Sequence, residues 1–232
     1  MESVRRKREN RIIGLIGVKG AGKTVRAKQL FRASQRAFVI DPLAEYEQGY
    51  IVSAHGDTLD YLCETEKFRV IYRPLEPGDF VFACETVRRA KDCTFIVEEL
   101  GRYCDNNSIP DEFDDIVARG RHYGVNLVYT VQRFQMIHKN VTSLTDEYYV
   151  FRQCEPVDLE QVEKRFGDAV ARIVRDLDDL EAVHIRVKEF RAHVPKSYRV
   201  VSIIPGSGVF HHQLPAGRDD YNNGSGSRRL SC

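Results

Sequence analysis

Short apolar runs alternate along the chain with longer segments in which apolar residues recur at helical spacing. The short runs predict buried β-strands, and the longer segments predict amphipathic α-helices. We expect strands at Arg11–Ile16, Ala37–Asp41, Tyr50–Val52, Phe68–Tyr72, Cys93–Glu99, Gly124–Val131, Tyr148–Phe151, Ala182–Phe190 and Tyr198–Ile204. We expect helices at Val25–Phe31, Thr58–Lys67, Asp79–Lys91, Asp111–Arg121 and Val157–Asp176. This alternation is typical of an α/β fold with a mostly parallel central sheet and helices on both faces.

The composition suits one large globular domain with a well-solvated surface, since the 232 residues are 42% hydrophobic and 30% charged. The formal net charge is only +1, so any contact with nucleic acid must be a local basic patch. A basic leader occupies residues 1–10, and the chain becomes rich in Gly, Ser, Asn and Asp from Pro205 onward. We therefore expect the domain at residues 11–204 and a flexible tail at residues 205–232.

Six cysteines stand at positions 63, 84, 93, 104, 154 and 232, and no two have the C-x-x-C spacing. Cys84, Cys93 and Cys154 lie within apolar runs, as buried thiols do. This distribution predicts reduced thiols in a cytosolic or virion-interior setting rather than a disulfide or zinc framework. Apolar stretches of the length that a signal peptide or a membrane span needs are missing from the sequence.

The strongest chemical signal is the segment Gly17–Thr24, GVKGAGKT, which joins the first predicted strand to the first predicted helix. It has the phosphate-binding P-loop pattern G-x-x-x-x-G-K-[ST], whose glycines let successive N–H groups point at phosphate oxygens. The lysine reaches the β- and γ-phosphates, and the threonine hydroxyl can ligate Mg²⁺. The sequence therefore predicts a nucleoside triphosphate site. Its predicted contacts are Gly17, Val18, Lys19, Gly20, Ala21, Gly22, Lys23, Thr24 and Val25.

Two adjacent carboxylates, Glu98 and Glu99, end the strand that begins at Cys93. A P-loop protein that hydrolyses its nucleotide needs one carboxylate beside the magnesium ion and one that polarises the attacking water. We assign the first role to Glu98, together with Thr24, and the second to Glu99. Gln132 ends the following strand, where its amide can hydrogen-bond the γ-phosphate or the lytic water. The alternative for Gln132 is an ordinary polar cap at the end of a strand.

Two arginines, Arg119 and Arg121, stand shortly before the strand that leads to Gln132. Either can reach the γ-phosphate of a neighbouring subunit as an arginine finger, which stabilises the charge of the transition state. The alternative for each is a surface residue at the end of a helix. The sequence therefore offers two candidates for an arginine finger supplied by a neighbouring subunit.

Four motifs in this order resemble the HerA–FtsK superfamily of ATP-driven DNA translocases, and within it the compact viral genome-packaging ATPases. They are Gly17–Thr24, the Asp-Pro-x-x-Glu-Tyr segment Asp41–Tyr46, the acidic strand Phe95–Glu99, and Gly120–Gly124 continued by Thr130–Arg133. The resemblance covers roughly residues 11 to 190 and implies a RecA-like (ASCE) P-loop NTPase fold. Two features depart from the family. Glu98 stands where Asp is usual, and the short leader has no room for the N-terminal β-barrel of cellular HerA helicases.

The resemblance implies an ATP-driven double-stranded DNA translocase that packages a viral genome into a capsid. It implies ATP and Mg²⁺ as cofactors, and a homo-hexameric ring with each ATP at a subunit interface. The expected partners are double-stranded DNA and the capsid or portal vertex, in the host cytoplasm or the virion. The implied catalytic residues are Lys23, Glu99, Gln132 and Arg121, with Arg119 as the second candidate for the finger. DNA-contacting loops are expected at Arg102-Tyr103, and at Arg133 with His138-Lys139.

Three alternatives stay open at the level of the sequence. A motor for filamentous-phage morphogenesis or conjugation keeps the ATPase, although relatives of that kind typically carry a membrane segment. A small P-loop kinase needs an arginine-rich lid and an acceptor pocket, but neither Glu99 nor a finger from a second subunit. A nucleotide-controlled binding module hydrolyses little.

Overall fold

The computed structural model describes residues 10–53, 63–76, 78–190, 197–205 and 209–212. The strands found there are β1 (Ile12–Ile16), β2 (Arg36–Ile40), β3 (Tyr50–Val52), β4 (Phe68–Tyr72), β5 (Thr94–Val97), β6 (Asn126–Val131), β7 (Glu147–Phe151), β8 (Glu181–Arg186), β9 (Tyr198–Ile203) and β10 (Val209–His212). The α-helices are α1 (Lys23–Ala33), α2 (Asp79–Ala90), α3 (Asp111–Tyr123), α4 (Lys139–Leu144), α5 (Pro156–Phe166) and α6 (Asp168–Arg175). Short 3₁₀ turns at Leu100–Arg102 and Phe134–Met136 follow β5 and β6.

The strands form one sheet in the order β10-β9-β8-β7-β1-β6-β5-β2-β4-β3. Every pairing from β7 across to β3 is parallel, whereas β8, β9 and β10 extend the sheet with antiparallel pairings. The predicted mostly parallel sheet is therefore confirmed. β1 lies between β6 and β7, so the loop that follows β1 leaves the sheet at an interior position.

Each face of the sheet has its own apolar core. Leu15 belongs to one core, with Ala27 and Phe31 of α1, while its neighbour Ile16 belongs to the other core, with residues of α2 to α6. Because helices cover a parallel sheet on both faces, its strands are apolar at successive positions instead of alternating with polar residues. The predicted placement of helices on both faces is confirmed, and this is the α/β arrangement of RecA-like P-loop proteins.

Two predicted elements differ from the structure by more than a shift of one or two residues at their ends. The segment Val157–Asp176 is not one helix but two, α5 and α6, because Gly167 has a φ of +88° and cannot continue α5. The strand predicted at Ala182–Phe190 ends at Arg186, where a turn begins that the N–H of Glu189 closes on the carbonyl of Arg186 (3.0 Å).

The sheet extends past residue 204, into the segment expected to be a tail. Val209–His212 forms β10, which pairs antiparallel with β9 and places His212 opposite Val200. Pairing satisfies the backbone groups of an edge strand, and a composition rich in Gly and Ser does not reveal it. Residues 1–9 and 213–232, and the first half of the helix predicted at Thr58–Lys67, lie outside the described residues.

Among the described residues, the cysteines follow the sequence prediction with one exception. Cys63, Cys84, Cys93 and Cys104 are buried thiols that form no disulfide. Cys154 is disulfide-bonded, so the prediction of reduced cysteines throughout is wrong for this residue. In the part of the chain that the structure describes, none of the helices has the length and apolar character to cross a bilayer.

Candidate active site

A cleft opens at the edge of the sheet where the parallel strands end. β1, β6, β5 and β2 are adjacent there, which brings the segments after their last residues together, as in other open α/β sheets. The polar residues of the cleft come from all four segments. They are Lys19, Lys23, Thr24, Asp41, Glu45, Glu98, Glu99, Arg102, Thr130 and Gln132.

The P-loop is anchored between β6 and β7. The N–H of Gly17 donates to the carbonyl of Val131 (3.2 Å), and the N–H of Val18 donates to the carbonyl of Arg152 (3.1 Å). Gly22 has a φ of +111° and precedes α1, and an added Cβ there would lie 3.1 Å from Cα of Leu180. The loop therefore needs glycine at this position both for its backbone conformation and for its close contact with the chain beyond β7.

Lys23 begins α1 and bends back over the loop. Its Nζ donates to the carbonyl oxygens of Gly17 (2.6 Å) and Val18 (2.8 Å). Burial lowers the pKa of Lys23, and the negative charges of Glu98, Glu99 and Glu45 oppose that effect. The ammonium group thus lies within the loop, where the effect of burial on its pKa outweighs that of the three nearby carboxylates.

Glu98 is almost fully buried, with 4% of its surface exposed. Its Oε1 accepts a hydrogen bond from the hydroxyl of Tyr46 (2.7 Å), and its Oε2 accepts one from the hydroxyl of Thr130 (2.7 Å). Burial raises the pKa of Glu98 to about 7, and the bonds from Thr130 and Tyr46 act against that rise. The carboxylate is held by one hydrogen bond on each oxygen, and both lie inside the protein.

Glu99 has a different environment from its neighbour. Its side chain is 35% exposed, and Oε2 lies 3.7 Å from Nε of Arg102. The backbone of Glu99 has a φ of +52°, and its N–H donates to the hydroxyl of Thr130 (2.9 Å). Two consecutive carboxylates therefore diverge, one into the protein and one toward the open cleft, where water has access.

Gln132 follows the last residue of β6 and is exposed in the cleft. Its backbone carbonyl accepts a hydrogen bond from Nε2 of Gln153 (3.0 Å), which is fully buried beyond β7. The contact with Gln153 was not predictable from the sequence, because Gln132 and Gln153 follow β6 and β7, which lie on either side of β1 in the sheet. Oε1 of Gln153 has no hydrogen-bond partner among the described residues.

Arg119 and Arg121 lie away from the cleft of their own chain. They are in the last turns of α3, which ends where β6 begins, so the length of β6 (roughly 20 Å at 3.3 Å per residue) separates them from Gln132. Arg119 pairs with Asp115 one turn earlier. Arg121 is exposed, and within the described part of the chain its guanidinium has neither an ion-pair nor a hydrogen-bond partner.

The residues expected in DNA-contacting loops have various local partners. Tyr103 stacks on Phe80, with ring centroids 4.4 Å apart, and Arg102 faces the cleft beside Glu99. Nε of Arg133 lies 3.4 Å from Oδ2 of Asp158, and Nδ1 of His138 accepts the N–H of Asn140 at the start of α4. Lys139 is exposed.

Sequence reasoning missed two contributors to the site, Tyr46 and Thr130. Tyr46 belongs to the Asp41–Tyr46 motif, for which the sequence predicted no chemical role. Thr130 stands two positions before Gln132. Both contact Glu98 from a neighbouring strand or loop, so only the strand order reveals them.

Comparison with known proteins adds structural likeness alone, since no protein-family model and no curated protein matches the sequence. The genome packaging NTPase B204 from Sulfolobus turreted icosahedral virus 2, in complex with sulfate, has a TM-score of 0.68 at 18% identity, over 82% of this chain and 95% of that chain. Its complex with AMPPCP has a TM-score of 0.65 at 18% identity, over 82% and 96%. VirB4 of Thermoanaerobacter pseudethanolicus has a TM-score of 0.57 at 13% identity, over 91% of each chain.

The chain has a RecA-like P-loop NTPase fold. The fold implied by the resemblance to the HerA–FtsK superfamily is thereby confirmed. At identities of 13% and 18%, these structures establish the fold but not the activity. The activity has to be inferred from the residues of this chain.

Proposed function

We propose that the protein is an ATPase that uses ATP hydrolysis to move double-stranded DNA during the packaging of a viral genome. The observation that carries the proposal is the cleft in which Lys23 and Thr24 of the P-loop face two carboxylates and Gln132. A P-loop alone binds phosphate in kinases, switches and motors alike. The buried Glu98, the open Glu99 and the exposed amide of Gln132 together favour hydrolysis, because a kinase needs no carboxylate to activate water.

The P-loop residues bind the triphosphate. Backbone N–H groups of Gly17–Thr24 and the N-terminus of α1 surround the phosphates with positive potential. Lys23 transfers its hydrogen bonds from the carbonyls of Gly17 and Val18 to the β- and γ-phosphate oxygens. Burial lowers the pKa of Lys23 and the nearby carboxylates oppose that effect.

The oxygen ligands of the cleft suit Mg²⁺. The hydroxyl of Thr24 and the carboxylate of Glu98 line the same cleft, and hydroxyl and carboxylate oxygens are the donors that this hard cation prefers. Thr24 and Glu98 are therefore the residues that would hold the ion. When bound, Mg²⁺ would supply positive charge that offsets the negative charge developing on the phosphate oxygens during transfer.

Glu99 is the proposed general base. It faces the open side of the cleft, where water can reach it, and its backbone N–H is fixed by Thr130. Gln132, at the end of the adjacent strand β6, orients the water or the γ-phosphate with its amide. Its backbone is fixed by Gln153, which keeps the amide close to the carboxylates.

Arg121 is the proposed arginine finger, acting on the cleft of a neighbouring subunit in a homo-hexameric ring. Its distance from the cleft of its own chain and its lack of an ion-pair partner among the described residues support a role in trans. Arg119 is the weaker candidate because Asp115 already pairs with it. Such a finger would make each site complete only at a subunit interface.

Viral genome packaging as the task rests on the likeness to B204, which is described as a DNA-packaging ATPase. The fold and the cleft are consistent with that task. The capsid or portal vertex and double-stranded DNA are the proposed partners, and the host cytoplasm or the virion is the proposed location.

The test measures ATP hydrolysis with and without double-stranded DNA, on protein whose mass in solution has been determined by light scattering. We expect turnover that DNA stimulates and a mass of six chains when DNA and ATP are present. Glu99→Gln serves as the matched variant, because it keeps the shape of the side chain and removes the base. Unchanged turnover in Glu99→Gln, or phosphate transfer to a small acceptor by a monomer, would contradict the proposal.

A further inference from the structure

The segment Asp41–Tyr46 is the one sequence motif to which the proposed mechanism assigns no role. It follows β2, which lies beside β5 with Ile40 opposite Val97. The residues after these two partners, Asp41 and Glu98, therefore leave the sheet side by side, and the N–H of Glu98 donates to the carbonyl of Ile40 (3.3 Å). The motif thus starts next to the buried carboxylate of the cleft.

The segment is closed into a rigid turn by its first residue. The carboxylate of Asp41, 1% exposed, accepts hydrogen bonds from the N–H groups of Glu45 (2.8 Å) and Tyr46 (3.1 Å). Arg73, just after β4, braces the same turn from outside: its guanidinium donates to Oδ2 of Asp41 (3.4 Å) and to the carbonyl of Tyr46 (2.9 Å). These four contacts fix the backbone of Tyr46.

The side chain of Tyr46 is fixed as firmly as its backbone. The residue is 2% exposed, and its ring meets Phe31 of α1 edge-on, with centroids 5.4 Å apart. The ammonium of Lys28 lies 5.4 Å from the ring centroid. The hydroxyl emerges from this packing to donate its 2.7 Å hydrogen bond to Oε1 of Glu98. Tyr46 therefore connects the helix that follows the P-loop with the carboxylate at the end of β5.

We infer that Tyr46 is a positioning residue, which holds the carboxylate of Glu98 in the orientation that Mg²⁺ binding beside Thr24 requires. The inference rests on the role of Glu98 in the proposed function. A carboxylate has about four lone-pair directions. Tyr46 and Thr130 occupy one on each oxygen, from neighbouring segments of the fold. These two hydrogen bonds set the rotation of the Glu98 carboxylate, and its remaining lone pairs are available to a ligand in the cleft.

The expected effect of losing the hydrogen bond from Tyr46 to Glu98 can be stated as a fold-change. Groups that orient a metal ligand typically contribute about 10- to 100-fold to metal affinity or activity. Tyr46→Phe keeps the ring that packs on Phe31 and removes only the hydroxyl, so it isolates the hydrogen bond to Glu98. Tyr148→Phe is the matched control, since it also removes a largely buried hydroxyl, one that donates to the carbonyl of Thr142 (3.0 Å).

The experiment titrates Mg²⁺ against binding of a fluorescent ATP analogue and against steady-state hydrolysis. For Tyr46→Phe we expect the half-maximal Mg²⁺ concentration to rise about tenfold and kcat to fall about tenfold. The KM for ATP at saturating Mg²⁺ and the binding of nucleotide in EDTA should stay within about twofold, because the P-loop itself is unchanged. Tyr148→Phe should match the wild type in all four measurements.

A second variant, Arg73→Gln, loosens the turn by removing the contacts of the guanidinium with Asp41 and with the carbonyl of Tyr46, and it leaves the side chains of Tyr46 and Glu98 unchanged. Arg73 is partly exposed, so folding should tolerate the change. We expect the half-maximal Mg²⁺ concentration to rise in this variant as well, by less than in Tyr46→Phe. Equal Mg²⁺ dependence of Tyr46→Phe and wild type, alongside an impaired Glu98→Gln, would overturn the inference and leave the proposed function intact. Hydrolysis that is absent from the wild type, or unchanged in Glu98→Gln, would overturn both.

Discussion

The hydroxyl of Thr130 donates a 2.7 Å hydrogen bond to Oε2 of Glu98, and it accepts a 2.9 Å hydrogen bond from the N–H of Glu99. Thr130 lies near the end of β6, and the two glutamates follow β5, the adjacent strand. One hydroxyl thus fixes a side chain and a backbone group of consecutive residues. It sets the angle at which the two carboxylates diverge.

Thr130→Val should therefore impair both carboxylates at once. The substitution preserves the shape of the side chain but leaves a buried carboxylate oxygen and a backbone N–H without this partner. We expect the free energy of unfolding to fall by about 1–3 kcal/mol, the usual cost of a buried polar group that loses its hydrogen bond. We also expect kcat for ATP hydrolysis to fall at least about tenfold, as when a supporting group around a metal ligand is lost.

Urea unfolding and steady-state hydrolysis measure the two effects. Thr130→Ser is the control, because it retains the hydroxyl and removes only a methyl group. It should keep most of the activity. If Thr130→Ser lost as much activity as Thr130→Val, packing of the methyl group, and not the hydroxyl, would explain the result.

Gly22→Ala should disrupt the P-loop. The φ of +111° is strained for any residue with a Cβ, and the added atom would lie 3.1 Å from Cα of Leu180. Strain of this kind costs about 1–3 kcal/mol, and relief of it would displace the N–H groups that bind phosphate. We expect the Kd for ATP, measured by titration calorimetry, to rise at least about tenfold.

The matched control for that substitution is Gly78→Ala. Gly78 has a φ of −63°, at the start of α2, and none of the described atoms lies within 4 Å of a Cβ added there. The free energy of unfolding of Gly78→Ala should equal that of the wild type or be slightly higher, because alanine reduces the entropy of the unfolded chain. Wild-type affinity in Gly22→Ala would show that the loop tolerates a Cβ and adapts its backbone.

The elements that depend on local pattern were predictable from the sequence. β1, the P-loop and α1 follow from an apolar run, glycines at fixed offsets and helical spacing, all within Ile12–Ala33. The break at Gly167 and the pairing of β10 were not predicted. A lone glycine in a charged periodic segment is ambiguous, and an edge strand takes its stability from its partner.

The contacts around Glu98 could not be predicted from the sequence. Tyr46 and Thr130 lie 52 and 32 positions from Glu98, and they meet it only because β6, β5 and β2 are consecutive in the sheet. The choice between Arg119 and Arg121 as the arginine finger was easier to predict from the sequence. Asp115 stands one helical turn before Arg119, which is the spacing of an ion pair within a helix, and Arg121 has no such neighbour.

Arg121→Ala should abolish ATP hydrolysis while ATP binding stays within about twofold, since a finger contributes about 10³- to 10⁵-fold to the rate and little to binding. Arg119→Ala should have a smaller effect, because its removal mainly breaks the pair with Asp115. Steady-state hydrolysis and binding of a fluorescent nucleotide separate the two effects.

Mixing Arg121→Ala with Glu99→Gln tests whether the finger acts in trans. In a mixed ring some interfaces combine an intact Glu99 from one subunit with an intact Arg121 from the next, so part of the activity should return. Each inactive variant alone sets the baseline. A mixture that stays at that baseline, although the two variants are shown to co-assemble, would count against a finger from the neighbouring subunit.

A buried carboxylate far from the cleft, that of Glu147, predicts a dependence of stability on pH. Glu147 of β7, which is 6% exposed, accepts hydrogen bonds from Arg11 (2.7 Å) and from Nε2 of His184 (3.0 Å), and Arg186 lies 4.0 Å away. Burial raises the pKa of Glu147, but the hydrogen bonds and charges of His184 and Arg11 outweigh burial and lower the pKa to about 2. The ordinary value is 4.5, so the ionised carboxylate favours the folded state.

Because the folded-state pKa lies below the unfolded value, the contribution of Glu147 is complete above pH 4.5 and is lost as the pH falls toward 2. Glu147→Gln should lower the free energy of unfolding at pH 7 by about 1.5–3 kcal/mol, the scale of hydrogen bonds to a charged group. The difference from wild type should shrink at pH 3, measured by urea unfolding at both values. Glu160→Gln, which removes an exposed ion pair with Lys164, should change stability little at either pH. A difference between Glu147→Gln and wild type that is equal at pH 7 and pH 3 would show that Glu147 stabilises the fold by packing and not by its charge.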